Sequence, residues 1–168
     1  LLGEAHALRR IDALHNLGDV LVPMGQVDDA LAAFREMLTL AYRLDLKGKG
    51  GAAHNRIGRA YRDIGALDDA AKHLATGLEL FKAAEDERGI ASSIDDIGKL
   101  YWLKGEYESA LGFMRDALAR RRALADRRSI ALSFNNLGLV LQDSGMFKEA
   151  LDAFEQSLHI RREIGDMV

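Results

Sequence analysis

Four glycines, Gly18, Gly58, Gly98 and Gly138, recur at intervals of forty residues, and Gly25, Gly65, Gly105 and Gly145 keep the same interval seven positions later. Ala30, Ala70, Ala110 and Ala150 form a third column in the same phase. A fixed period between roughly 20 and 50 residues marks stacked supersecondary units, each of which buries its apolar face only against its neighbours. The chain therefore reads as a repeat array, a class expected to hold partners rather than to do chemistry.

Inside each unit the apolar spacing is helical. Leu14, Leu17, Gly18 and Leu21 follow the i, i+3, i+4, i+7 pattern of one helix face, and their counterparts are His54, Ile57, Gly58 and Tyr61, then Ile94, Ile97, Gly98 and Tyr101, then Phe134, Leu137, Gly138 and Leu141. A glycine in mid-helix costs about 1 kcal/mol relative to alanine, so its recurrence predicts close approach of a neighbouring helix. The second glycine column falls where the first helix should stop, as expected of a left-handed residue just past a helix end. A second helix then opens on Val27, Leu67, Tyr107 and Phe147, with acidic residues such as Asp28, Asp68, Glu108 and Glu149 suited to a helix N-terminus. Its buried stripe is predicted as Ala30, Phe34 and Leu38, with Ala70, Leu74 and Leu78, Ala110, Met114 and Leu118, and Ala150, Phe154 and Leu158 in later units. Pro23, the sole proline, is expected to kink the last turn of its helix, because it has no N–H to continue the bonding.

Composition narrows function. With 48% hydrophobic and 29% charged residues the chain is not disordered, and a formal net charge of −3 argues against a general nucleic-acid binder. No apolar run approaches the 18 or so residues that span a bilayer, and no basic-then-apolar leader is present, so the expectation is a cytoplasmic protein that does not bind membranes. The absence of cysteine removes disulfides, thiol catalysis and cysteine-ligated zinc. The histidines lack paired metal-ligand spacing. His15 and Asp19, with Asp12 on the same face, come closest to a metal site, yet zinc needs three or four converging ligands. No metal, no cofactor and no catalytic residue is expected. His54 sits in the core stripe and reads as a satisfied buried imidazole. Gly48, Gly50 and Gly51 around Lys49 lack the preceding strand and the hydroxyl of a phosphate loop and read as a flexible connector. Arg120, Arg121 and Arg122 suit a helix C-terminus and, with Arg127, Arg128, Arg161 and Arg162, read as a solvated face.

The pattern in Ile97, Gly98, Tyr101 and Ala110 resembles the tetratricopeptide repeat over essentially the whole chain. Two departures are visible: the period exceeds the usual 34 or so residues, and the proline that often ends the second helix is replaced by Tyr42, Lys82, Arg122 and Arg162. That longer variant is similar to the repeats of kinesin light chains, spindle-orienting scaffolds and bacterial signalling proteins. The connector Asp126, Arg127, Arg128, Ser129, Ile130, Ala131 resembles the bacterial group most. The resemblance implies an all-α, right-handed α-α superhelix of about four antiparallel helix pairs, a single array over 1–168. Its repeats would run about 7–46, 47–86, 87–126 and 127–166, with residues 1–6 left from a preceding unit or linker. Because the pattern is cut at both ends, the chain is expected to be an excerpt of a longer array attached to another domain.

The resemblance further implies that the first helix of each pair lines a concave groove. The inner stripe is then Asp12, His15, Asn16, Asp19 and Val22; Ala52, Asn55, Arg56, Arg59 and Arg62; Ser92, Asp95, Asp96, Lys99 and Trp102; and Leu132, Asn135, Asn136, Leu139 and Gln142. Asparagine both donates and accepts and arginine supplies a bidentate fork, so Asn55, Arg56, Arg59, Asn135 and Asn136 could hold an extended peptide. The competing reading pairs the alternating charges between neighbouring helices, where they contribute little net energy. A carboxylate clamp for chaperone tails is not expected, since His15 and Asp19, Arg56, and Ser92 and Asp96 stand where its lysines, asparagines and arginine belong. Trp102, the only tryptophan, is equally an anchor for a partner or a packing residue.

The expected function is a non-enzymatic scaffold binding a protein or peptide, within a larger signalling or regulatory protein. A ligand-gated array controlling an attached effector and a module that self-associates through exposed repeat ends are the alternatives.

Overall fold

The computed structural model describes residues 2–166, which contain eight helices and no strand. In order these are α1 (Leu2–Leu21), α2 (Val27–Arg43), α3 (Lys47–Asp63), α4 (Leu67–Ala83), α5 (Glu87–Leu103), α6 (Tyr107–Ala123), α7 (Arg127–Asp143) and α8 (Phe147–Glu163). They form four antiparallel pairs, and every helix after α1 is 17 residues long. Two such helices and two short turns make one period of the glycine ladder.

Every turn closes in the same way. Gly25, Gly65, Gly105 and Gly145 take φ of 76°, 81°, 77° and 80°, the left-handed region that glycine enters without steric cost. The Gly25 N–H donates to the Val22 carbonyl and the Gln26 N–H to that of Leu21, both at 3.0 Å, which is the paired bonding of a Schellman motif. The same two bonds recur between the pairs, where Asp45, Glu85 and Ala125 take φ of 51°, 53° and 53°. Each period therefore contains two left-handed residues, of which the glycine column announces one.

Mid-helix glycines owe their recurrence to packing within each pair. A Cβ on Gly18 would lie 2.2 Å from Phe34 Cε1, and one on Gly138 2.6 Å from Phe154 Cε1; Gly58 and Gly98 face Leu74 and Met114 at 2.8 and 3.1 Å. These partners are the central residues of the predicted second-helix stripe.

Two expectations are corrected. Gly48, Gly50 and Gly51 are not a connector but lie in the first turns of α3. A Cβ on Gly51 would be 3.0 Å from the Phe81 ring and 3.1 Å from the Gly77 carbonyl of α4, so the small residues serve interhelical approach. Pro23 kinks nothing: α1 stops at Leu21, two residues short of the position that ends α3 at Asp63 and α7 at Asp143, because proline cannot donate the next helical bond.

The chain divides into two compact units, Leu1–Gly89 and Ile90–Val168. In the first, α2 packs on α1 and α3, and α3 on α4. Its core joins Ile11, Leu14, Ala33, Met37 and Ala53, and next to them Ala30, Leu31, Phe34, Ile57 and Ala60. In the second unit α7 packs on α6 and α8 around Leu111, Met114, Leu118, Ile130, Phe134, Leu137, Val140 and Ile160. The predicted stripes are buried or half-buried with two exceptions, Leu17 on α1 and Leu158 on α8, which are exposed.

Candidate functional site

In the first unit the inner stripe comes from α1 and α3. Arg56 grips Asp19 with two bonds, Nε to Oδ1 at 2.7 Å and Nη2 to Oδ2 at 2.8 Å. Its Nη2 also lies 3.0 Å from His15 Nε2. Burial, followed by the Arg56 guanidinium, lowers the His15 pKa, which favours the neutral imidazole that can accept this bond. One turn earlier, Lys49 Nζ donates to Asp12 Oδ1 at 2.6 Å. The acidic stripe of α1 thus meets the basic stripe of α3 charge for charge. Arg62 bonds its neighbour Asp63 at 2.8 Å, while Asn16 is exposed and Arg59 half-buried beside it.

Asn55 leaves the stripe. It is buried, and its Oδ1 faces α4 at Gly77, where a Cβ would come within 2.5 Å. Behind it lies a network that joins three helices: Tyr42 Oη to His54 Nε2 at 2.8 Å, and His54 Nδ1 to His73 Nδ1 at 2.9 Å. Burial, then the neighbouring His73, pushes the His54 pKa down to about 4. The reading of His54 as a satisfied buried imidazole stands, and its partners could not be read from the repeat, since neither Tyr42 nor His73 recurs.

A cavity of about 740 Å³ opens in this unit where α3 begins. Leu46, Ala52, Phe81 and Ala84 form its apolar walls, and His15, Lys47, Lys49, Asp45 and Asp86 supply polar groups. The N-terminus of α3 has no side-chain cap and no acidic residue in its first turn. Its unsatisfied N–H groups carry partial positive charge. A smaller space of about 140 Å³ is lined by Asp19, Val22, Arg56, Arg59 and Arg62 at the other end of α1 and α3.

In the second unit the stripe turns inward. Asp95 on α5 is buried and meets Lys99 Nζ at 2.8 Å, Arg121 Nη1 of α6 at 3.4 Å, and Asn136 Nδ2 of α7 at 3.2 Å. Arg121 also donates to Ser133 Oγ. Burial alone would raise the Asp95 pKa, yet Lys99 and Arg121 with the bonds from Lys99 and Asn136 hold it below its ordinary value. Asp96 is buried beside it. Trp102 is half-buried against the core of this unit and directs its only polar hydrogen to Asp143 Oδ2 at 2.8 Å.

Asn55, Asp95, Asp96 and Asn136 are accordingly corrected from groove residues to buried ones: each lies under a neighbouring helix, where its polar atoms serve helix–helix contacts. His15, Asn16, Asp19, Arg56, Arg59, Arg62, Lys99, Trp102 and Asn135 keep at least partial exposure. Arg121 is likewise not solvated. Its column holds Ala41 and Phe81, both buried, and that column was the available signal.

Among the described residues, no group of three or more His, Cys, Asp or Glu side chains could hold a metal ion, and no helix is long and apolar enough to cross a membrane. Paired helices that repeat at a fixed interval, with variable polar side chains on one face, define a helical-repeat scaffold of the protein-interaction type. A family profile described as the tetratricopeptide repeat matches residues 9–83, 51–123 and 89–163, and the chain belongs to that family.

Solved structures agree in fold. BtubC (BKLC) from P. vanneervenii is 21% identical with a TM-score of 0.76, over 94% of this chain and 65% of the other. A Rap protein complexed with competence and sporulation factor is 18% identical with a TM-score of 0.87, over 94% of this chain and 44% of the other. A kinesin light chain-like repeat protein from Podosopora anserina is 17% identical with a TM-score of 0.68, over 94% and 77%. The chain spans less than two thirds of the length of the first two. No curated protein matches the sequence.

Proposed function

We propose that the chain holds a protein or peptide on the inner face of its first helices, as the interaction module of a larger signalling or regulatory protein. The observation that carries this reading is the cavity of about 740 Å³ at the start of α3. Its apolar walls suit one apolar side chain of a partner, and Lys47, Lys49 and the uncapped α3 N-terminus favour an adjacent carboxylate. Asn16 and Arg59 continue the same stripe along α1 and α3 and supply further polar contacts. The likeness in fold to a Rap protein that holds competence and sporulation factor supports a signalling context.

The test is peptide display against the 168-residue chain, followed by binding to the Ala52→Trp variant, whose indole fills the cavity. Selected peptides are expected to combine an apolar with an acidic residue and to lose about tenfold or more in affinity on the variant, some 1.4 kcal/mol. Peptides that bind the variant as tightly as the parent chain would remove the cavity from the site.

A further inference from the structure

The two exposed members of the predicted stripes, Leu17 and Leu158, belong to larger unpartnered faces. On α1, Leu17 is 50% and Val20 57% exposed. At the same repeat positions α3 buries Ile57 and Ala60 and α7 buries Leu137 and Val140. On α8, Phe147 is 70% and Leu151 57% exposed, although the residues matching Leu151 in α2 and α6, Leu31 and Leu111, are only 4% and 3% exposed. Within the units the structure shows what covers these positions. Leu31 clusters with Ile57 and Ala60, and Leu111 and Leu118 cluster with Ile130, Phe134 and Leu137. In each case the second helix of one pair is covered by the first helix of the next.

We propose that this chain stacks head to tail with a second copy of itself, α1 of one molecule covering α8 of the other as α3 covers α2 and α7 covers α6. The same molecule carries both halves of the joint. Leu17 and Val20 would meet Phe147, Leu151 and Leu158 in the register set by Ile57 on Leu31. The rim is compatible: Arg35 of α2 bonds Tyr61 Oη of α3 at 2.8 Å, and the matching residues, Glu155 and Leu21, bring no like charges together. Arg10 falls where Ile130 packs in the second unit, but it is engaged by Glu36 of its own pair. The joint uses different surfaces on its two sides, so it is heterologous and leaves an open face at each end of the stack.

The experiment is light scattering across concentration on the 168-residue chain and on Leu17→Arg and Leu151→Arg, which alter exposed residues of opposite faces. The parent chain is expected to rise in mean mass to twice the monomer or beyond. Each variant alone should remain monomeric, because every joint needs one intact face of each kind. Mixed at equal amounts, the two variants should pair one to one through their remaining intact faces, which also shows that both are folded. A parent chain that stays monomeric throughout overturns the proposal. So does a dimer that survives in either single variant, since that would be a symmetric contact elsewhere, and so does a mixture that fails to pair. None of these outcomes bears on the cavity at α3, which Ala52→Trp tests separately.

Discussion

Replacing Asp95 by asparagine keeps the shape of the side chain and removes its charge from a site buried among α5, α6 and α7. Lys99 and Arg121 then lose their shared counter-ion, and the Arg121 side chain is only 10% exposed. Removing one partner of a buried ion pair costs about 3–5 kcal/mol, mostly because the other charge stays buried and unpaired. Asparagine can still accept one of the bonds, at roughly half the strength of a charged acceptor, so the loss should fall near the lower bound, about 3 kcal/mol. Urea denaturation followed by far-UV circular dichroism measures it. The pH dependence checks the cause. The Asp95 pKa is lower in the folded chain than its ordinary 3.8, so its contribution is present above that value and is lost as pH falls through the lowered folded one. Parent and variant should therefore converge in acid. A companion double variant, Asp95→Leu with Arg121→Met, should recover most of the stability, since apolar replacement of a buried pair is often neutral or better. An asparagine variant within about 0.5 kcal/mol of the parent at neutral pH, the range of ordinary surface substitutions, would refute the reasoning, as would a gap that persists unchanged in acid.

Three further outcomes are open to the same measurements. Gly18→Ala should destabilise by about 1–3 kcal/mol through overpacking against the fully buried Phe34 ring. Gly98→Ala, facing the flexible Met114 at 3.1 Å, should stay within about 1 kcal/mol because the helix-propensity gain offsets a smaller strain. Ala125→Gly should stabilise by up to about 1 kcal/mol in urea, as it relieves a left-handed residue at φ 53° that alanine occupies at a steric cost. His54 has a folded pKa of about 4 against an ordinary 6.5, so the unfolded chain binds the proton more readily and stability falls as pH drops between those values. At about 1.4 kcal/mol per decade the full loss is roughly 3 kcal/mol, and His54→Phe should flatten that slope. A parent chain equally stable at both ends of the interval would contradict the Tyr42, His54 and His73 geometry.

The glycine and alanine columns carried the fold because they are local and periodic. A left-handed turn needs glycine wherever the chain repeats, and a helix that must approach Phe34 or Phe154 closely needs glycine at Gly18 or Gly138 in every unit. The inner stripe was legible as a column and much less so as a surface. Asp19 with Arg56 and Asp12 with Lys49 followed from opposite signs on adjacent first helices. That Asn55 turns to Gly77, or that Asp95 collects Arg121 and Asn136 under a neighbouring helix, depends on residues that do not recur and lie 22 to 41 positions apart. No periodicity encodes such partners. The cavity at α3 escaped for the same reason: Gly48 to Gly51 read locally as a loop, and only the approach of Phe81 and Gly77 shows why they form a helix.

By itself the sequence determined the unit: helix, glycine turn, helix, with the side chains that lock each pair, because spacing along one strand of chain dictates what shares a helix face. Tertiary structure decided which polar residues face a partner and which face another helix, and which apolar ones end up uncovered. Leu17 and Leu31 are alike in spacing and chemistry. One is half exposed and the other buried, because burial depends on the helix packed against a residue, and that helix is supplied by a different part of the chain.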